Sequence, residues 1–248
     1  MCPAPVLFAA DTHLQSSAPE ITQRFEHFLE STARQARALF LLGDIFEVWV
    51  GDDDTSPIAD RLQKKLRVLH DGGTQLFFIP GNRDFLLGRP WLSQAGVILL
   101  PDPSPLPASL GIPENQRVLL THGDALCTDD TAYQNIRRVL RNPQWQSDFL
   151  RKPLAERKAF ATSARAQSRT YTAMAHDSIM DVNQQAVDSL MNEHQADILI
   201  HGHTHRPAMH HWHHAPNQKP RQRLVVGDWH HHNSYLQWHN GEFTLVTC

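Results

Sequence analysis

Five short polar clusters stand out in the sequence because their residue types are those of metal ligands. They read Asp11-x-His13, Gly43-Asp44, Gly81-Asn-Arg-Asp84, His122-Gly-Asp124 and Gly202-His-Thr-His205. Carboxylate, amide and imidazole groups form a mixed oxygen and nitrogen donor set. Such a set suits Mn²⁺, Fe²⁺ or Zn²⁺ better than the soft metals that prefer thiolates. The sequence therefore predicts a site for divalent metal ions.

The number of candidate ligands indicates two ions, since seven are too many for one ion that keeps an open position. Two ions about 3.5–4 Å apart can share a carboxylate, and they lower the pKa of a bound water so that it supplies hydroxide at neutral pH. Asp44 stands alone in its cluster and is the candidate bridge. In an extended segment, Asp-x-His and His-x-His would each point both side chains to one face. The seven candidates are Asp11, His13, Asp44, Asn82, His122, His203 and His205.

Each cluster directly follows a short apolar run that is typical of a buried strand. The predicted strands cover residues 6–10, 38–42, 75–79, 117–121 and 196–200. Helical spacing predicts helices over residues 20–38 and 58–70. This alternation indicates an α/β fold with parallel strands, in which ligands bind at the carboxyl ends of the strands. We therefore expect the five clusters to meet at one edge.

The remaining segments are less regular. Residues 101–113 contain five prolines and indicate an irregular connection. Residues 125–190 have a helical and highly charged pattern, and the part from 155 to 175 forms either a cap over the sheet edge or plain surface helices. Residues 223–246 alternate in a way that predicts closing antiparallel strands.

The composition limits the class of protein. A chain of 248 residues suits one domain, over 1–248, with the helical cap inserted at approximately 128–178. The net charge of −3 argues against a nucleic-acid binder that relies on positive charge. Three cysteines without a spaced pair fit a reducing cytosol rather than a disulfide framework. No apolar run approaches the roughly 18–20 residues of a membrane span, so we expect neither a spanning helix nor a secretory signal.

In this order, the five clusters resemble the signature of the calcineurin-like metallophosphoesterases. The family pattern is Asp-x-His, Gly-Asp, Gly-Asn-His-Asp, a His beside a Gly, and Gly-His-x-His. The resemblance covers nearly the whole chain. It implies an αββα sandwich of two mixed β-sheets flanked by helices, with a helical lid insertion. It also implies that two Mn²⁺ ions are bound, one by Asp11, His13, Asp44 and His205, and the other by Asp44, Asn82, His122 and His203.

One departure from the family pattern narrows the expected substrate, because Arg83 stands where most members have His. In this the chain resembles the members that hydrolyse the diphosphate of UDP-2,3-diacylglucosamine, a lipid-linked nucleotide sugar, in bacterial lipid A biosynthesis. Residues 51–54, 81–88, 126–130, 179–184 and 201–207 extend that resemblance. It implies a pyrophosphatase in which a di-metal-activated hydroxide attacks the α-phosphorus, giving UMP and 2,3-diacylglucosamine 1-phosphate. The alternative is another di-metal phosphoesterase that acts on nucleotide diphosphates or phosphodiesters.

The resemblance assigns catalytic roles to Arg83 and Asp44, since a guanidinium there could stabilise charge on phosphate oxygens in the transition state. The implied substrate contacts are Asn82, Arg83, Asp130, Ser168 and His203.

The lid pattern of the family has a Ser, an Asn four residues later and a Lys three beyond that. Here the counterparts are Ser168, Thr172 and Ala175, of which only the serine agrees. Our hypothesis is that Arg165 or Arg169 supplies the missing cation.

The implied substrate is amphipathic, which places the expected site of action at the membrane surface. We expect a cytoplasmic enzyme that is peripheral on the inner face of the bacterial inner membrane and contacts it through the lid. No obligate protein partner is evident.

Several residues near the clusters leave alternatives open. Asp84 and Asp124 either accept hydrogen bonds from ligand imidazoles or form turns. His201 is expected in a supporting or core position, and Arg206 is either a rim charge or an ordinary surface residue.

Other segments have both an ordinary and a functional interpretation. Residues 52–54 are expected to form a solvated acidic turn. The histidine runs 210–214 and 230–232 are expected in solvated loops; a histidine-rich metal buffer and a non-catalytic metal-binding module are the rival functions. The apolar side chains of the lid either form a core or line an acyl-chain groove. They are Phe149, Leu150, Leu154 and Phe160.

Overall fold

Short apolar runs form the central strands, and most are buried over their whole length because both faces of each sheet are covered. The computed structural model describes residues 4–110, 116–174, 180–213 and 219–248. Its strands are β1 (Val6–Ala9), β2 (Ala38–Leu41), β3 (Gln75–Phe78), β4 (Val97–Leu99), β5 (Ser104–Pro105), β6 (Val118–Leu120), β7 (Ile198–His201), β8 (Ala208–Trp212), β9 (Arg221–Val225), β10 (Ser234–His239) and β11 (Glu242–Thr247). Its α-helices are α1 (Pro19–Glu30), α2 (Pro57–Asp71), α3 (Arg89–Ala95), α4 (Thr131–Leu140), α5 (Pro143–Leu150), α6 (Leu154–Met174) and α7 (Gln184–Glu193).

The strands form two mixed sheets. The first has the order β11-β10-β1-β2-β3-β4, in which β1 to β4 are parallel and β10 and β11 are antiparallel to their neighbours. The second has the order β5-β6-β7-β9-β8, with β6, β7 and β9 parallel. The predicted fold class is therefore confirmed.

Side chains alternate between two hydrophobic layers along each central strand, as the period of two requires. Leu39 and Leu41 of β2 pack in the layer between the first sheet and helices α1 to α3. Phe40, between them, points to the other side and packs in the layer between the two sheets, where Leu120 and Ile200 of the second sheet also lie. A third layer joins the second sheet to α7. The order of layers is helix, sheet, sheet, helix.

Helices α4 to α6 lie between β6 and β7 in the chain, and ion pairs tie α6 to the core. Arg157 is only 2% exposed and donates to the carbonyl of Val50 (2.6 Å) and to Asp53 Oδ1 (2.8 Å). Lys158 pairs with Asp54. Gly51 has a φ of +137°, and a Cβ there would lie 2.3 Å from Nη1 of Arg157, so this approach requires glycine.

The predicted turn is present at residues 52–53, and the side chain of Asp53 is 61% exposed, but the three carboxylates are not merely solvated. Asp53 and Asp54 bind cations of α6, and Asp52 accepts hydrogen bonds from Trp49 Nε1, Gly88 N and Trp91 N. The three carboxylates are therefore used within the protein.

Two further predictions about local structure were wrong, and a third holds in part. The first helix ends at Glu30, because Arg37 N binds the carbonyl of Pro5 and draws the following chain into the sheet. The closing strands β10 and β11 are antiparallel as predicted, whereas β9 is antiparallel to β8 but runs parallel to β7. His210 and His211 lie in β8, at the edge of the second sheet, rather than in a loop.

None of the helices in the described part of the chain combines the length and apolar character needed to cross a membrane.

Candidate metal centre

The backbone at the strand ends is unusual at the candidate ligands themselves. Seven described residues other than glycine have a positive φ, and five of them are predicted ligands. These are Asp11 (+54°), His13 (+47°), Asp44 (+53°), His203 (+66°) and His205 (+55°). Such left-handed conformations concentrate at functional sites, and Asp and His adopt them more readily than most residues do. The expectation of extended Asp-x-His and His-x-His segments was therefore wrong. Asp11 and His13 do point into one cluster, but His203 and His205 belong to different clusters.

Gly43 lets two of the ligand loops come close together. Its φ is +86°, and a Cβ at this position would lie 2.5 Å from the backbone of Gly81 and 2.6 Å from Nδ1 of His122. Any side chain here would therefore push the Asp44 loop away from the loops of Asn82 and His122.

The first ligand cluster contains Asp11, His13 and His205, whose donor atoms all lie within 4.8 Å of one another. The Nε2 atoms of His13 and His205 are 3.2 Å apart, and Nε2 of His205 is 3.6 Å from Asp11 Oδ1. That oxygen is buried and has no hydrogen-bond partner among the described residues. A buried carboxylate oxygen that lacks a partner and lies beside two imidazole nitrogens is expected where a cation binds.

The second cluster contains Asp44, His122 and His203, with the same spread of donor atoms. Asn82 joins it, since its Oδ1 is 3.0 Å from Nε2 of His122. The two carboxylate oxygens of Asp44 face different clusters: Oδ2 is 3.8 Å from His13 Nε2, and Oδ1 is 3.7 Å from His122 Nε2. The structure thus brings all seven predicted ligands together, with Asp44 between the two groups.

Burial and neighbouring charges shift the pKa values of the site residues in both directions. Burial acts to raise the pKa of Asp11, but His205 and the other nearby histidines outweigh it and lower the pKa to about 2. Burial acts to lower the pKa of His205, but Asp11 and Asp228 raise it to about 10. Burial and His122 lower the pKa of His203 to about 4, so that its ring is neutral and its lone pair free. Carboxylates and imidazoles of this kind fit two divalent ions.

The far side of each of three ligand imidazoles has an acceptor, as is usual for metal-binding histidines. His13 Nδ1 lies 2.6 Å from Glu47 Oε2, and His205 Nδ1 lies 3.3 Å from Asp228 Oδ2. His122 Nδ1 lies 2.8 Å from the carbonyl of Leu42. Sequence reasoning missed Glu47 and Asp228, because neither belongs to a recognisable cluster. The only local signal was their position: Glu47 follows the candidate ligand Asp44 by three residues, and Asp228 follows the end of β9 by three residues.

Asp84 and Asp124 serve the backbone and the α4 helix rather than the imidazoles. Asp84 accepts from the amides of Gly81 (2.9 Å) and Ile45 (2.7 Å), and thereby joins the second and third ligand loops. Burial, with Asp44 nearby, raises its pKa to about 6. Asp124 is fully buried and accepts from Tyr133 Oη (2.7 Å) and Arg137 Nε (2.8 Å).

Two arginines, Arg83 and Arg165, lie beside the candidate ligand clusters, and Arg169 lies near Arg165. Nε of Arg83 and Nε of Arg165 are buried without a hydrogen-bond partner in the described part of the chain. Arg165 forms an ion pair with Glu47. Burial lowers the pKa of Arg165, and the neighbouring guanidinium groups of Arg83 and Arg169 lower it further. This group of cations suits an anion with several oxygens.

A cavity of about 710 Å³ opens between α6 and the core. Arg165 and Arg169 line it on the side of α6, as do Lys158 and Ala161. Its apolar walls on the core side are Leu14, Phe46, Val48, Trp49 and Ile58.

The other predicted residues occupy different environments. Asp130 caps α4 by accepting from Tyr133 N (2.9 Å), and its Oδ1 also accepts from Tyr171 Oη (2.8 Å). Ser168 is half-buried on α6. The side chain of Thr172 and all of Ala175 lie outside the described residues.

Residues at the rim and in the histidine runs are also placed. His201 is fully buried and belongs to neither cluster. Arg206 lies at the surface, 3.3 Å from Asp181. His230 is exposed, but its ring lies parallel to that of His13 at 6.2 Å, so the second histidine run begins beside the site.

Comparison with known proteins places this geometry in a family. The family model of the calcineurin-like phosphoesterases matches residues 4–207. The UDP-2,3-diacylglucosamine hydrolase of Aromatoleum aromaticum is 46% identical over 232 residues, which cover 94% of this chain and 92% of that protein. The UDP-2,3-diacylglucosamine hydrolase of Escherichia coli is 45% identical over 231 residues, 93% of each chain. The solved structure of Vps29 from Cryptosporidium parvum aligns with 13% identity and a TM-score of 0.47, covering 100% of this chain and 98% of that one.

The family match covers most of the chain, and both hydrolases align with it over nearly their full length. The chain therefore belongs to the calcineurin-like phosphoesterase family, in the branch that contains the UDP-2,3-diacylglucosamine hydrolases.

Proposed function

We propose that the protein hydrolyses the diphosphate bond of UDP-2,3-diacylglucosamine and releases UMP and 2,3-diacylglucosamine 1-phosphate. The observation that carries this proposal is the pair of candidate ligand clusters around Asp44. Beside these clusters lie the Nε groups of Arg83 and Arg165, which lack a partner among the described residues, and a partly apolar cavity. The names of the two hydrolases that share 45–46% of their aligned residues with this chain support it.

The two clusters would hold two divalent ions, for which we propose Mn²⁺. One ion would be bound by Asp11, His13 and His205. The other would be bound by Asn82, His122 and His203, and Asp44 would contribute to both sites. When bound, the ions supply an activated water for attack on the α-phosphorus and neutralise the charge of the diphosphate.

The protein's own groups would bind and orient the diphosphate. The unpaired Nε of Arg83 is a donor for a phosphate oxygen, and a guanidinium can hold two such oxygens at once. Asn82 and His203 would contact the phosphates from the metal side. Asp130 and Ser168 would contact the sugar or the nucleoside.

The cavity under α6 would receive the acyl chains of the substrate. Its volume of about 710 Å³ falls within the roughly 300–1,000 Å³ of ordinary ligand pockets. We propose that α4 to α6 form a lid over this cavity, and that Arg165 or Arg169 contacts the diphosphate where the family lysine is replaced by Ala175. Arg165→Ala or Arg169→Ala should then raise KM for the substrate. An unchanged KM in both variants would contradict this assignment.

The same proposal implies where the protein works. A diacylated substrate resides in a lipid bilayer, so the enzyme would act as a peripheral protein on the cytoplasmic face of the bacterial inner membrane.

The decisive experiment is an assay of metal-free protein with UDP-2,3-diacylglucosamine, with and without Mn²⁺, in H₂¹⁸O. Mn²⁺-dependent release of UMP that carries the label would support both the substrate and attack at the α-phosphorus. Label in the lipid phosphate would show attack at the other phosphorus. If two Mn²⁺ ions bind tightly but no turnover occurs, the substrate assignment is wrong. UDP-glucose and bis(p-nitrophenyl) phosphate would then test for a phosphoesterase of different specificity.

A further inference from the structure

The second histidine run lies in the loop between β9 and β10, and helix α1 holds the start of this run in place. Trp229 is fully buried, and its ring centre lies 5.0 Å from that of Phe25 and 5.1 Å from that of Phe28, both in α1. Arg24 Nη1 donates to the carbonyls of Trp229 (2.5 Å) and His230 (3.2 Å). The main chain at His230 is therefore fixed beside the candidate metal centre, although its side chain is exposed.

This loop completes a third group of donor atoms, which shares His205 with the first ligand cluster. One donor atom each of His205, Asp228 and His230 lie within 4.8 Å of one another. Nδ1 of His205 is 3.3 Å from Asp228 Oδ2. The ligands of a tetrahedral Zn²⁺ ion with bonds of roughly 2.0–2.1 Å are about 3.3–3.4 Å apart. This pair therefore already has the spacing of two zinc ligands.

The imidazole of His230 can complete the group by rotation of its side chain. It is exposed, and it forms no hydrogen bond or ion pair within the described part of the chain. The backbone N–H of His230 donates to Asp228 Oδ1 (3.0 Å), which keeps that carboxylate next to the ring. A small side-chain rotation therefore brings the three donor atoms to bonding distance of one ion.

The composition of this third group selects among divalent ions. Two imidazoles and one carboxylate, with water in the fourth position, form a common ligand set of zinc sites. Mn²⁺ stands at the weak end of the affinity order of divalent metals, and Zn²⁺ binds nitrogen ligands more tightly. The group is therefore suited to Zn²⁺ rather than to a third Mn²⁺.

His205 cannot serve both groups as a neutral ring. Its Nε2 faces the first cluster, 3.2 Å from Nε2 of His13, whereas its Nδ1 faces Asp228. A neutral imidazole has one unprotonated nitrogen for a metal, and the other nitrogen carries the proton. When Zn²⁺ binds Nδ1, the proton of the ring moves to Nε2, and that nitrogen no longer binds an ion of the first cluster.

We propose that His205, Asp228 and His230 form a third metal site that takes Zn²⁺, and that zinc bound there inhibits the enzyme by withdrawing His205 from the first cluster. The inhibition rests on the proposed function, because it requires a catalytic ion in the first cluster. The binding of zinc does not, since bound zinc is counted without substrate.

Zinc binding is tested by equilibrium dialysis of the wild type, His230→Asn and His232→Asn, followed by metal analysis. His232 is the matched control, because it is exposed in the same run but belongs to none of the donor groups in the described part of the chain. At saturating zinc, where Asp11, His13 and Asp44 still hold the first ion, we expect one more zinc ion per chain in the wild type and His232→Asn than in His230→Asn. Equal zinc contents in the three proteins would overturn the proposal.

Inhibition is tested by adding Zn²⁺ to the Mn²⁺-loaded proteins. The rate is followed with UDP-2,3-diacylglucosamine, or with bis(p-nitrophenyl) phosphate if the lipid is not hydrolysed. His230→Asn should keep the basal rate and need at least about tenfold more zinc for half-inhibition, since even the loss of a group that supports a ligand weakens metal binding by about 10–100-fold. His232→Asn should remain as sensitive as the wild type.

Equal sensitivity of the wild type and His230→Asn would show that zinc acts by displacing Mn²⁺ from the two clusters, and it would overturn the inhibitory role. Failure of the proposed function has a different signature. The wild type would then not hydrolyse the lipid substrate, but it would still bind the third zinc ion that His230→Asn lacks.

Discussion

At the scale of single residues, the shared position of Asp44 is the most consequential feature of the site. Its two oxygens face different ligand clusters, and its Oδ1 also accepts from the amide of Arg83 (2.8 Å). One carboxylate thus influences both candidate ions and the loop that carries the arginine.

Asp44→Asn should reduce kcat by about 10³-fold or more, because the substitution removes the negative charge that both ions share. Metal analysis should show fewer than two ions per chain. Asp60→Asn, which alters an exposed carboxylate on α2, is the control and should keep wild-type kcat and metal content. Full activity of Asp44→Asn would refute its bridging role.

Arg83→Ala should reduce kcat/KM for the diphosphate substrate by about 10²–10³-fold, the effect of losing one donor that acts in the transition state. Arg83→Lys should recover only part of this loss, since an ammonium group does not match two phosphate oxygens as a guanidinium does. Steady-state kinetics check both variants at saturating metal. If Arg83→Ala keeps its full kcat/KM, the unpaired Nε does not contact substrate.

Glu47→Gln should weaken metal binding at the cluster of Asp11, His13 and His205 by about 10–100-fold, because His13 loses the carboxylate that orients its ring. Excess metal should restore most of kcat, which separates this effect from loss of a catalytic group. Titration with Mn²⁺ under chelator buffering measures it, with Glu193→Gln on α7 as the control. Unchanged metal affinity would show that the contact is only structural.

At the scale of elements, helix α6 is held to the core mainly by polar contacts. Arg157 is almost completely buried and binds the carbonyl groups of Val50 and Lys152 as well as Asp53. These contacts position the wall of the cavity that carries Arg165 and Arg169.

Arg157→Ala should lower the free energy of unfolding by about 1–3 kcal/mol, since it leaves buried acceptors without a donor. It should also speed proteolysis within α6 and raise KM. Urea denaturation and limited proteolysis test these effects. Arg151→Ala removes an arginine whose side chain is 69% exposed, and it should change neither measurement. Equal behaviour of the two variants would show that Arg157 does not anchor the helix.

At this scale the sequence was informative where local pattern decides structure. Apolar runs located β1, β2 and β3 to within one residue, because burial of a central strand leaves a continuous apolar signal. The end of α1 and the ion pairs of residues 52–54 depend on contacts with distant segments. Arg157 and Asp53 are 104 positions apart, and no local pattern predicts that they meet.

At the scale of the whole molecule, both sheets contribute candidate ligands to both clusters. Asp11, His13, Asp44 and Asn82 follow strands of the first sheet, whereas His122, His203 and His205 follow strands of the second. The convergence of all seven was predicted from their positions at strand ends. The contacts of Glu47 and Asp228 with the candidate ligands, in contrast, are visible only in the folded structure.

Removal of metal should therefore loosen the junction between the sheets as well as abolish activity. A single ion present at 100 times its dissociation constant stabilises a fold by about 2.7 kcal/mol. For a chain of this size that corresponds to roughly 5–10 °C in Tm. Calorimetry of EDTA-treated protein before and after Mn²⁺ addition measures the difference, and a Tm that does not change would contradict the placement of the ions between the sheets.

The left-handed backbone of Asp11, His13, Asp44, His203 and His205 has a consequence for any redesign of this site. Under the proposed metal binding, each position requires a donor atom and, at the same time, a side chain that tolerates a positive φ. Asp, Asn and His meet both requirements, whereas other side chains adopt that conformation less readily and at a cost of order 1–3 kcal/mol. Exchange of a ligand for Glu or Cys is chemically reasonable but conflicts with the backbone. The main chain thus restricts which substitutions can retune the metal preference, and it favours oxygen and nitrogen donors over sulfur.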